Sequence, residues 1–210
     1  MKIYLKLFIV IALGLFVTSF AFADETAVEA QPEAETAGGV LKGIEVMTGF
    51  GWNKLKAKSD FDSKPDYNMY PIVVDFDFNL KDLTKKIGIN PPSLIEFQLE
   101  PYIAPVSSPS ANVEVGNSFM LKVGLLPETS KFQPFIKGGV GMVYMSTGTQ
   151  EQGSKFNFIE SGAVGAHFFF TKNTSLVTEF RYRHLSNCGI EEPNSGINTY
   201  QALAGVSYKF

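Results

Sequence analysis

Residues 72–79 read IVVDFDFN, and this alternation of apolar and acidic side chains decides the fold of the chain. Successive side chains of a β-strand point to opposite faces, so a period of two predicts a strand with two different surfaces. One surface carries only apolar side chains, and the other carries the acidic ones. The apolar set is Ile72, Val74, Phe76 and Phe78, and the polar set is Asp75, Asp77 and Asn79.

The same alternation recurs along the chain from Leu41 onwards. Turn-forming stretches such as Asn90-Pro91-Pro92 and Lys172-Asn173-Thr174 separate the alternating segments. An even number of strands of about ten residues is typical of a barrel whose tilted strands cross a bilayer. The eight predicted strands are 41–55, 70–80, 94–105, 116–126, 132–146, 156–170, 175–186 and 197–210.

The charged faces decide between a soluble β-sandwich and a membrane barrel. A sandwich buries its apolar faces, whereas a membrane barrel turns them to lipid and keeps its charged faces in the lumen. Charges of both signs can pair inside a narrow barrel, and closure leaves no strand edge in lipid. We therefore predict an all-β fold, an eight-stranded antiparallel transmembrane β-barrel. Its predicted luminal charges are Glu45, Asp75, Asp77, Glu96, Glu100, Glu179, Lys122, Lys137, Arg181 and Arg183.

The composition excludes several other classes of protein. Lys and Arg number 18 and Asp and Glu number 21, so the net charge of -3 is too near neutral for a nucleic-acid binder. The single cysteine, Cys188, excludes an intramolecular disulfide and a metal site built from cysteines. After the N-terminal segment, no apolar stretch of about 18 residues predicts a transmembrane helix.

The N-terminus predicts export from the cytoplasm. Lys2 and Lys6 precede an apolar run that ends in Ala21-Phe22-Ala23, so residues 1–23 have the features of a cleaved signal peptide. A retained membrane anchor is the alternative. The following segment contains five carboxylates and no aromatic residue, which predicts a disordered acidic lead-in. The lead-in is 24–39, and the predicted outer-membrane barrel is 40–210.

Strand parity predicts the topology. An N-terminus on the periplasmic side makes the odd strands run outward and the even strands run inward. The connection 81–93 is then periplasmic, and it is long for such a turn. The predicted external loops are 56–69, 106–115, 147–155 and 187–196.

The densest polar stretch lies at the end of the seventh predicted strand. His184 and Ser186 are two residues apart, so they share a face, and that face is the lipid-facing one. Polar groups on a lipid face are energetically unfavourable, so they are expected there only if they have a functional role or lie near the interface. The topology places the pair near the outer rim, at the boundary between sugar and acyl chains of lipopolysaccharide, where ester bonds are found. The apolar residues on the same face are Leu176, Phe180 and Tyr182.

A serine nucleophile needs a neighbouring base, and the base needs a group that orients it. Counting inward from Phe210 places Asn198 on the same face and near the same rim, where its amide oxygen could accept a hydrogen bond from His184. On geometry alone, a His and a Ser at a strand end are more often non-catalytic residues of the barrel rim than a nucleophile and its base. The candidate groups for stabilising an oxyanion are Asn187, Asn194 and backbone N–H groups near Gly189.

The stretch RHLSNCGI at residues 183–190, followed by PNSGIN at residues 193–198, resembles the active-site stretch of lipid A 3-O-deacylases of the PagL type. The resemblance is specific near the C-terminus and architectural upstream. It implies an outer-membrane barrel that hydrolyses the acyl ester at position 3 of lipid A without a metal or organic cofactor. Position by position, it implies His184 as general base, Ser186 as nucleophile, and Asn187, Gly189 and Asn194 as oxyanion or positioning groups.

One position departs from the family pattern, which has a Glu where this chain has Asn198. A carboxylate stabilises an imidazolium ion, whereas a neutral amide can only orient the ring. Three explanations stay open. Asn198 acts in a weaker orienting role, Glu191 or Glu192 is recruited from the loop, or the enzyme is slow or altered in substrate.

The resemblance implies lipid A in the outer leaflet of the bacterial outer membrane as substrate, and no nucleic-acid partner. A homodimer is compatible with the sequence, which carries no feature that decides the oligomeric state.

The competing functions are a non-catalytic small barrel and another outer-membrane acyl enzyme, a phospholipase or an acyltransferase. His167 is interpreted as a packed luminal histidine and Cys188 as a small filler.

Overall fold

The computed structural model describes residues 41–54 and 66–210, and most of them lie in β-strands. The predicted signal peptide at 1–23 and the predicted lead-in at 24–39 lie outside the described residues. The strands are β1 Leu41–Lys54, β2 Asp66–Met69, β3 Ile72–Asn79, β4 Ser93–Ser108, β5 Asn112–Pro127, β6 Phe132–Met145, β7 Phe156–Phe169, β8 Thr174–Ser186 and β9 Ile197–Lys209, and helix α1, Lys81–Lys86, follows β3.

The strands form one closed antiparallel barrel. From β3 to β9 each strand pairs with the next one in the chain, and β1 pairs with both β3 and β9, which closes the sheet. β2 and β3 both pair with β1 and with β4, so they form one barrel strand that is interrupted at Tyr70 and Pro71. Pro71 has no N–H to donate to a ladder. Nine strands with β2 and β3 counted as one give eight positions, which confirms the predicted fold class.

The centre of the lumen is filled by a network of paired charges. Lys137 Nζ lies 3.1 Å from Asp75, 3.0 Å from Glu100 and 2.8 Å from Glu179. Arg181 contacts the carboxylates of Glu100 and Glu179 as well. These side chains are buried. Because each cation faces more than one carboxylate, removing water from the lumen leaves no cation of this group uncompensated.

A second group of charges surrounds Lys122, nearer the end of the barrel at which β1 begins. Its Nζ lies 2.6 Å from Glu45, 3.2 Å from Glu96 and 3.6 Å from Asp77. His167 is fully buried beside this group, with Nε2 3.2 Å from Glu45. The predicted luminal charges and the predicted luminal histidine are therefore confirmed.

A third group centres on Arg183 and contains a carboxylate that the sequence analysis did not assign. Arg183 donates to both oxygens of Glu114, at 2.5 and 3.2 Å, and to Thr199 Oγ1 at 3.0 Å. The hydroxyls of Tyr67 and Tyr102 donate to the same carboxylate. All five side chains are buried, so this group closes the lumen near the end of β8.

The outward face of the barrel is apolar, as the alternation predicts for a lipid-facing surface. Large exposed side chains occur on strand after strand around the circumference. Examples are Val46, Ile72, Ile103, Val115, Leu121, Ile136, Val164, Phe168, Leu176, Phe180, Val206 and Tyr208. Among the described residues, no helix is long and apolar enough to cross a membrane.

Two of the predicted external loops are shorter in the structure. β4 ends only at Ser108 and β5 already begins at Asn112, so most of the predicted loop 106–115 is strand. β2 begins at Asp66, inside the predicted loop 56–69, whose residues 56–65 are not among those described. The sequence analysis assigned these strand ends to loops because their residues are small or polar. Asn112 and Glu114 are polar because they face a polar lumen and not an apolar core.

The other connections agree closely with the predicted ones. Residues 146–155 and 187–196 join strands at one end of the barrel, which we name the Ser186 end. The turn 109–111 also lies there. Residues 80–92, which contain α1, and the turns 128–131 and 170–173 lie at the opposite end.

We expect Glu114→Leu to lower the free energy of unfolding by about 3–5 kcal/mol, because it leaves the buried Arg183 guanidinium without its carboxylate. Urea unfolding of the refolded barrel in lipid vesicles measures the change. Glu114→Leu combined with Arg183→Met should recover most of the loss, since both charges then disappear. Glu128→Gln breaks the partly exposed ion pair with Lys81 and should cost only about 0–1 kcal/mol. Equal effects of Glu114→Leu and Glu128→Gln would contradict the prediction.

Candidate functional site

Three adjacent strands place polar side chains side by side on the outward face, close to the Ser186 end. His184 of β8 lies directly opposite Asn198 of β9 and opposite Glu160 of β7. Arg183 and Leu185, the chain neighbours of His184, point into the lumen and are buried. His184 therefore points away from the lumen, and it is half-buried by its neighbours on the barrel surface.

A hydrogen bond joins the imidazole to the side chain of β9. His184 Nδ1 lies 2.6 Å from Asn198 Oδ1. Because a carbonyl oxygen only accepts, this contact places the proton on Nδ1 and leaves Nε2 free to accept another proton. The backbone oxygen of Asn198 accepts a bond from Asn53 Nδ2 at 2.7 Å, which ties the start of β9 to β1.

Ser186 is the last residue of β8 and shares the outward face with His184. Its neighbour across the sheet on β7 is Phe158. Both Ser186 and His184 are half-buried, and within the described residues the two side chains are not hydrogen-bonded to each other. Contacts between a nucleophile and its base are often loose in the free enzyme and tighten when substrate binds, so this geometry leaves the pairing open.

Gly196 lies against the edge of the imidazole. Its φ is +76°, a left-handed conformation that favours glycine. A Cβ at this position would lie 2.6 Å from His184 Cε1 and 3.4 Å from Nε2. The glycine thus lets the backbone approach the ring at the corner between its two nitrogens.

Asn187 organises the loop that follows β8. Its side chain is fully buried, and its Nδ2 donates to the backbone oxygen of Glu191 at 2.6 Å. Its Oδ1 accepts from the backbone N–H of Gly189 at 2.9 Å. The side-chain polar groups of Asn187 and the N–H of Gly189 are therefore engaged inside the loop in this structure.

Asn194 is the third of the predicted oxyanion or positioning groups, and its side chain is only partly hydrogen-bonded. Its Oδ1 accepts from the backbone N–H of Asn187 at 3.0 Å. Its Nδ2 has no hydrogen-bond partner among the described residues, and the side chain is only half-buried. Asn194 therefore keeps two N–H donors that a bound group could use.

The loop 187–196 is paired with the loop 146–155. Gln152 and Asn194 form a backbone bridge, and the N–H groups of Gly153 and Ser195 donate across it at 2.7 and 2.9 Å. The fully buried Gln152 also accepts the Asn187 N–H through Oε1 at 3.1 Å. This pairing holds the loop after Ser186 in one arrangement, and the chain sequence offers no signal for it.

The structure brings together His184, Asn198 and Ser186 on one face and leaves the loop carboxylates of Glu191 and Glu192 exposed. Sequence reasoning missed Glu160 and Gly196 as neighbours of the imidazole. The signal for Glu160 was present, because the alternation of β7 puts a carboxylate among the outward phenylalanines. No group of three or more His, Cys, Asp or Glu side chains within 41–54 and 66–210 is arranged to hold a metal ion.

Comparison with known structures supports the architecture. The crystal structure of the outer membrane enzyme PagL is similar with a TM-score of 0.56 at 16% identity, over 80% of this chain and 99% of that chain. The crystal structure of Neisserial surface protein A is similar with a TM-score of 0.54 at 12% identity, over 82% of this chain and 98% of that chain. At such identities the likeness shows the fold alone.

Comparison of sequences identifies the family. A curated relative, the lipid A deacylase PagL of Pseudomonas aeruginosa, is 37% identical over 71 residues, which are 32% of this chain and 39% of that relative. The aligned segment thus spans well under two thirds of the relative's length. The family model described as lipid A 3-O-deacylase (PagL) matches residues 74–207, which is more than half of the chain. The chain therefore belongs to the lipid A 3-O-deacylase (PagL) family of outer-membrane ester hydrolases.

Proposed function

We propose that this barrel is an outer-membrane serine esterase that hydrolyses the 3-linked acyl ester of lipid A. Ser186 is the nucleophile, His184 the general base and Asn198 the group that orients the base. The hydrogen bond from His184 Nδ1 to Asn198 Oδ1 carries the proposal, because it frees Nε2 on the face that Ser186 shares. Membership of the lipid A 3-O-deacylase family supports lipid A as the substrate.

The filled lumen supports a substrate that arrives from the membrane. Lys122, Lys137, Arg181 and Arg183 occupy the lumen with their partner carboxylates, whereas His184 and Ser186 face outward. A diacylated or more highly acylated glycolipid can reach this face by lateral diffusion in its leaflet. No passage through the barrel is needed.

The Ser186 end is the outer end in this proposal. It carries the connections 146–155 and 187–196, which are longer than the turns 128–131 and 170–173 at the opposite end, where helix α1 lengthens the remaining connection, 80–92. Extracellular loops of such barrels are longer than their periplasmic turns. His184 and Ser186, the last two outward residues of β8, then lie at the depth where the sugar of lipid A meets its acyl chains. The ester oxygen at position 3 lies in that layer.

In the first half of the reaction, Ser186 Oγ attacks the carbonyl carbon of the acyl ester while His184 Nε2 accepts the hydroxyl proton. The carbonyl oxygen becomes an oxyanion. When the tetrahedral intermediate collapses, the bond between the carbonyl carbon and the sugar oxygen breaks. The sugar oxygen takes the proton from His184, so the deacylated lipid A leaves as an alcohol and the acyl group stays on Ser186.

The second half repeats the steps with water. A water molecule gives its proton to His184 Nε2 and attacks the acyl carbon, and collapse of the new intermediate returns the proton to Ser186 Oγ. The product is a free fatty acid. Asn194 is the donor that this geometry offers to the oxyanion, because its Nδ2 is unengaged among the described residues, whereas Asn187 and Gly189 hold the loop.

Ser186→Ala and His184→Ala should each reduce lipid A deacylation below detection, because the first removes the nucleophile and the second removes the base. Mass spectrometry of lipid A from cells that express each variant measures the loss of one hydroxyacyl group. Thr178→Ala is the matched control, since Thr178 is an outward-facing hydroxyl on the same strand, away from the rim. Heat-modifiable mobility on gels verifies that each barrel is folded.

Product analysis separates the proposal from its competitors. An unchanged lipid A mass in cells with folded wild-type barrel would reject the deacylase. A lysophospholipid would indicate a phospholipase, and a transferred acyl chain would indicate an acyltransferase. Full activity in Ser186→Ala would show that the nucleophile lies elsewhere.

Asn198→Leu should lower kcat by about tenfold to a hundredfold with little change in KM, because the imidazole loses the acceptor that holds its tautomer and orientation. Asn198→Glu should keep or raise kcat, since a carboxylate both orients the ring and stabilises the imidazolium ion. Release of fatty acid from purified lipid A in detergent measures both parameters. A complete loss in Asn198→Glu would give Asn198 a different role.

Gly196→Ala should lower kcat by about tenfold or more, because its Cβ would push His184 Cε1 away from its present position. Gly88→Ala is the matched control. Gly88 has a φ of +82°, close to that of Gly196, but a Cβ there meets no atom within 4 Å. If both variants lost the same activity, a general loss of barrel stability would explain the effect and not contact with the ring.

A further inference from the structure

The outward face of the described strands is almost free of acidic residues. The strand carboxylates Glu45, Glu96, Glu100 and Glu179 are all buried in the lumen, as are the other acidic strand residues apart from two. One of the two is Asp66, at the first residue of β2. The other is Glu160, which lies inside β7 and is exposed. A carboxylate on a lipid-facing strand is unfavourable, so its position calls for a physical explanation.

Glu160 lies opposite the proposed general base. The register pairs Glu160 with His184, and His184 with Asn198, so the three side chains form a row across β7, β8 and β9. Side chains that are directly opposite on neighbouring strands have Cβ atoms about 4.5–5.5 Å apart. In the part of the chain that the structure describes, the Glu160 carboxylate has no hydrogen-bond or ion-pair partner of its own.

The ring orientation leaves the side toward β7 open to Glu160. Nδ1 turns toward Asn198 on β9, and Gly196 covers Cε1. The opposite edge of the imidazole therefore faces β7. A carboxylate on that side does not compete with Asn198 for Nδ1.

Negative charge near this ring would favour the proton transfer from Ser186 to His184. When His184 accepts the proton of Ser186 it becomes an imidazolium ion at the edge of the lipid, where water screens charge weakly. Asn198 is neutral and can only orient the ring. Between residues 182 and 200, the other titratable groups outside the lumen are phenols, a thiol and exposed loop carboxylates, and none of them is a carboxylate on an outward strand face. They are Tyr182, Tyr200, Cys188, Glu191 and Glu192.

We propose that Glu160 is a positioning residue for the imidazolium form of His184 and supplies the negative charge that Asn198 lacks. Orientation and charge, which one carboxylate could provide together, are then divided between the two strands that flank β8. The inference rests on the proposed function, since it assumes that His184 activates Ser186. It adds a residue to the site that lies outside the C-terminal stretch.

Glu160→Gln should lower kcat for lipid A by about tenfold to a hundredfold and leave KM within about threefold, because the charge acts on the transition state. Glu160→Asp should retain part of the activity, since it keeps the charge on a shorter side chain. Glu128→Gln, at the opposite end of the barrel, is the control for loss of one negative charge. A change confined to KM would make Glu160 a substrate-binding residue and overturn the proposal.

The decisive comparison is a rescue. Asn198→Glu in the Glu160→Gln background should restore kcat to within about threefold of the wild type, because it returns a carboxylate to the other side of the ring. A merely structural role of Glu160 predicts no rescue. If Glu191→Gln with Glu192→Gln abolished activity while Glu160→Gln did not, the charge would come from the loop and the proposal would be wrong.

Covalent labelling of Ser186 by a fluorophosphonate separates this inference from the choice of substrate. The labelling rate should fall about tenfold in Glu160→Gln, since the probe needs an activated serine but no lipid A. A barrel that labels yet leaves lipid A intact would reject the substrate and keep the Glu160 comparison valid. Equal labelling rates in wild type and Glu160→Gln, or no labelling of wild-type Ser186, would overturn the inference.

Discussion

The structure depends on the pairing of charges inside a closed sheet. Lipid offers no hydrogen-bond partner to backbone or side chain, so the strands must close on each other and their polar faces must turn inward. Four cations then need partners in a narrow lumen, and Lys122, Lys137, Arg181 and Arg183 each contact at least one buried carboxylate. The result is a barrel whose lumen is filled with side chains, so a ligand can bind only on its outer surface.

This constraint explains why a site can be built on a surface without a deep cavity. The strands beside β8 are held on one side by lipid and on the other by the packed lumen, so the outward row keeps its register. The loops 146–155 and 187–196 add a second support, because Gln152 bridges Asn194 and accepts the Asn187 N–H. In the proposed function, a lipid substrate that lies against the barrel would form the remaining wall of the site.

In the proposed site, Asn198 stands where the pattern that the chain resembles has a Glu, so orientation and charge come from two different residues. A carboxylate at that position would hold the imidazole and balance its charge from the same atom. Here the amide accepts from Nδ1, and the register places the carboxylate of Glu160 on β7, on the other side of His184. Both positions flank His184 at the same level, so either strand can present charge to the ring.

Much of this arrangement could be predicted from residue order. The period of two placed the strands and separated lumen from lipid, so Lys122 and Arg181 were assigned inward and His184 and Ser186 outward without coordinates. The count along β9 put Asn198 beside His184. The strand ends that flank the turn 109–111 could not be predicted, because Asn112 and Glu114 resemble loop residues unless their partners, Ser146 for Asn112 and Arg183 for Glu114, are known.

The sequence by itself determined which side chains face lipid, because alternation is a local property of the backbone. Only the tertiary structure decided which residues meet across strands, since register depends on how every strand pairs around the closed sheet. That is why Glu160 opposite His184, Gly196 against the ring and Gln152 beneath the loop emerged only from the fold.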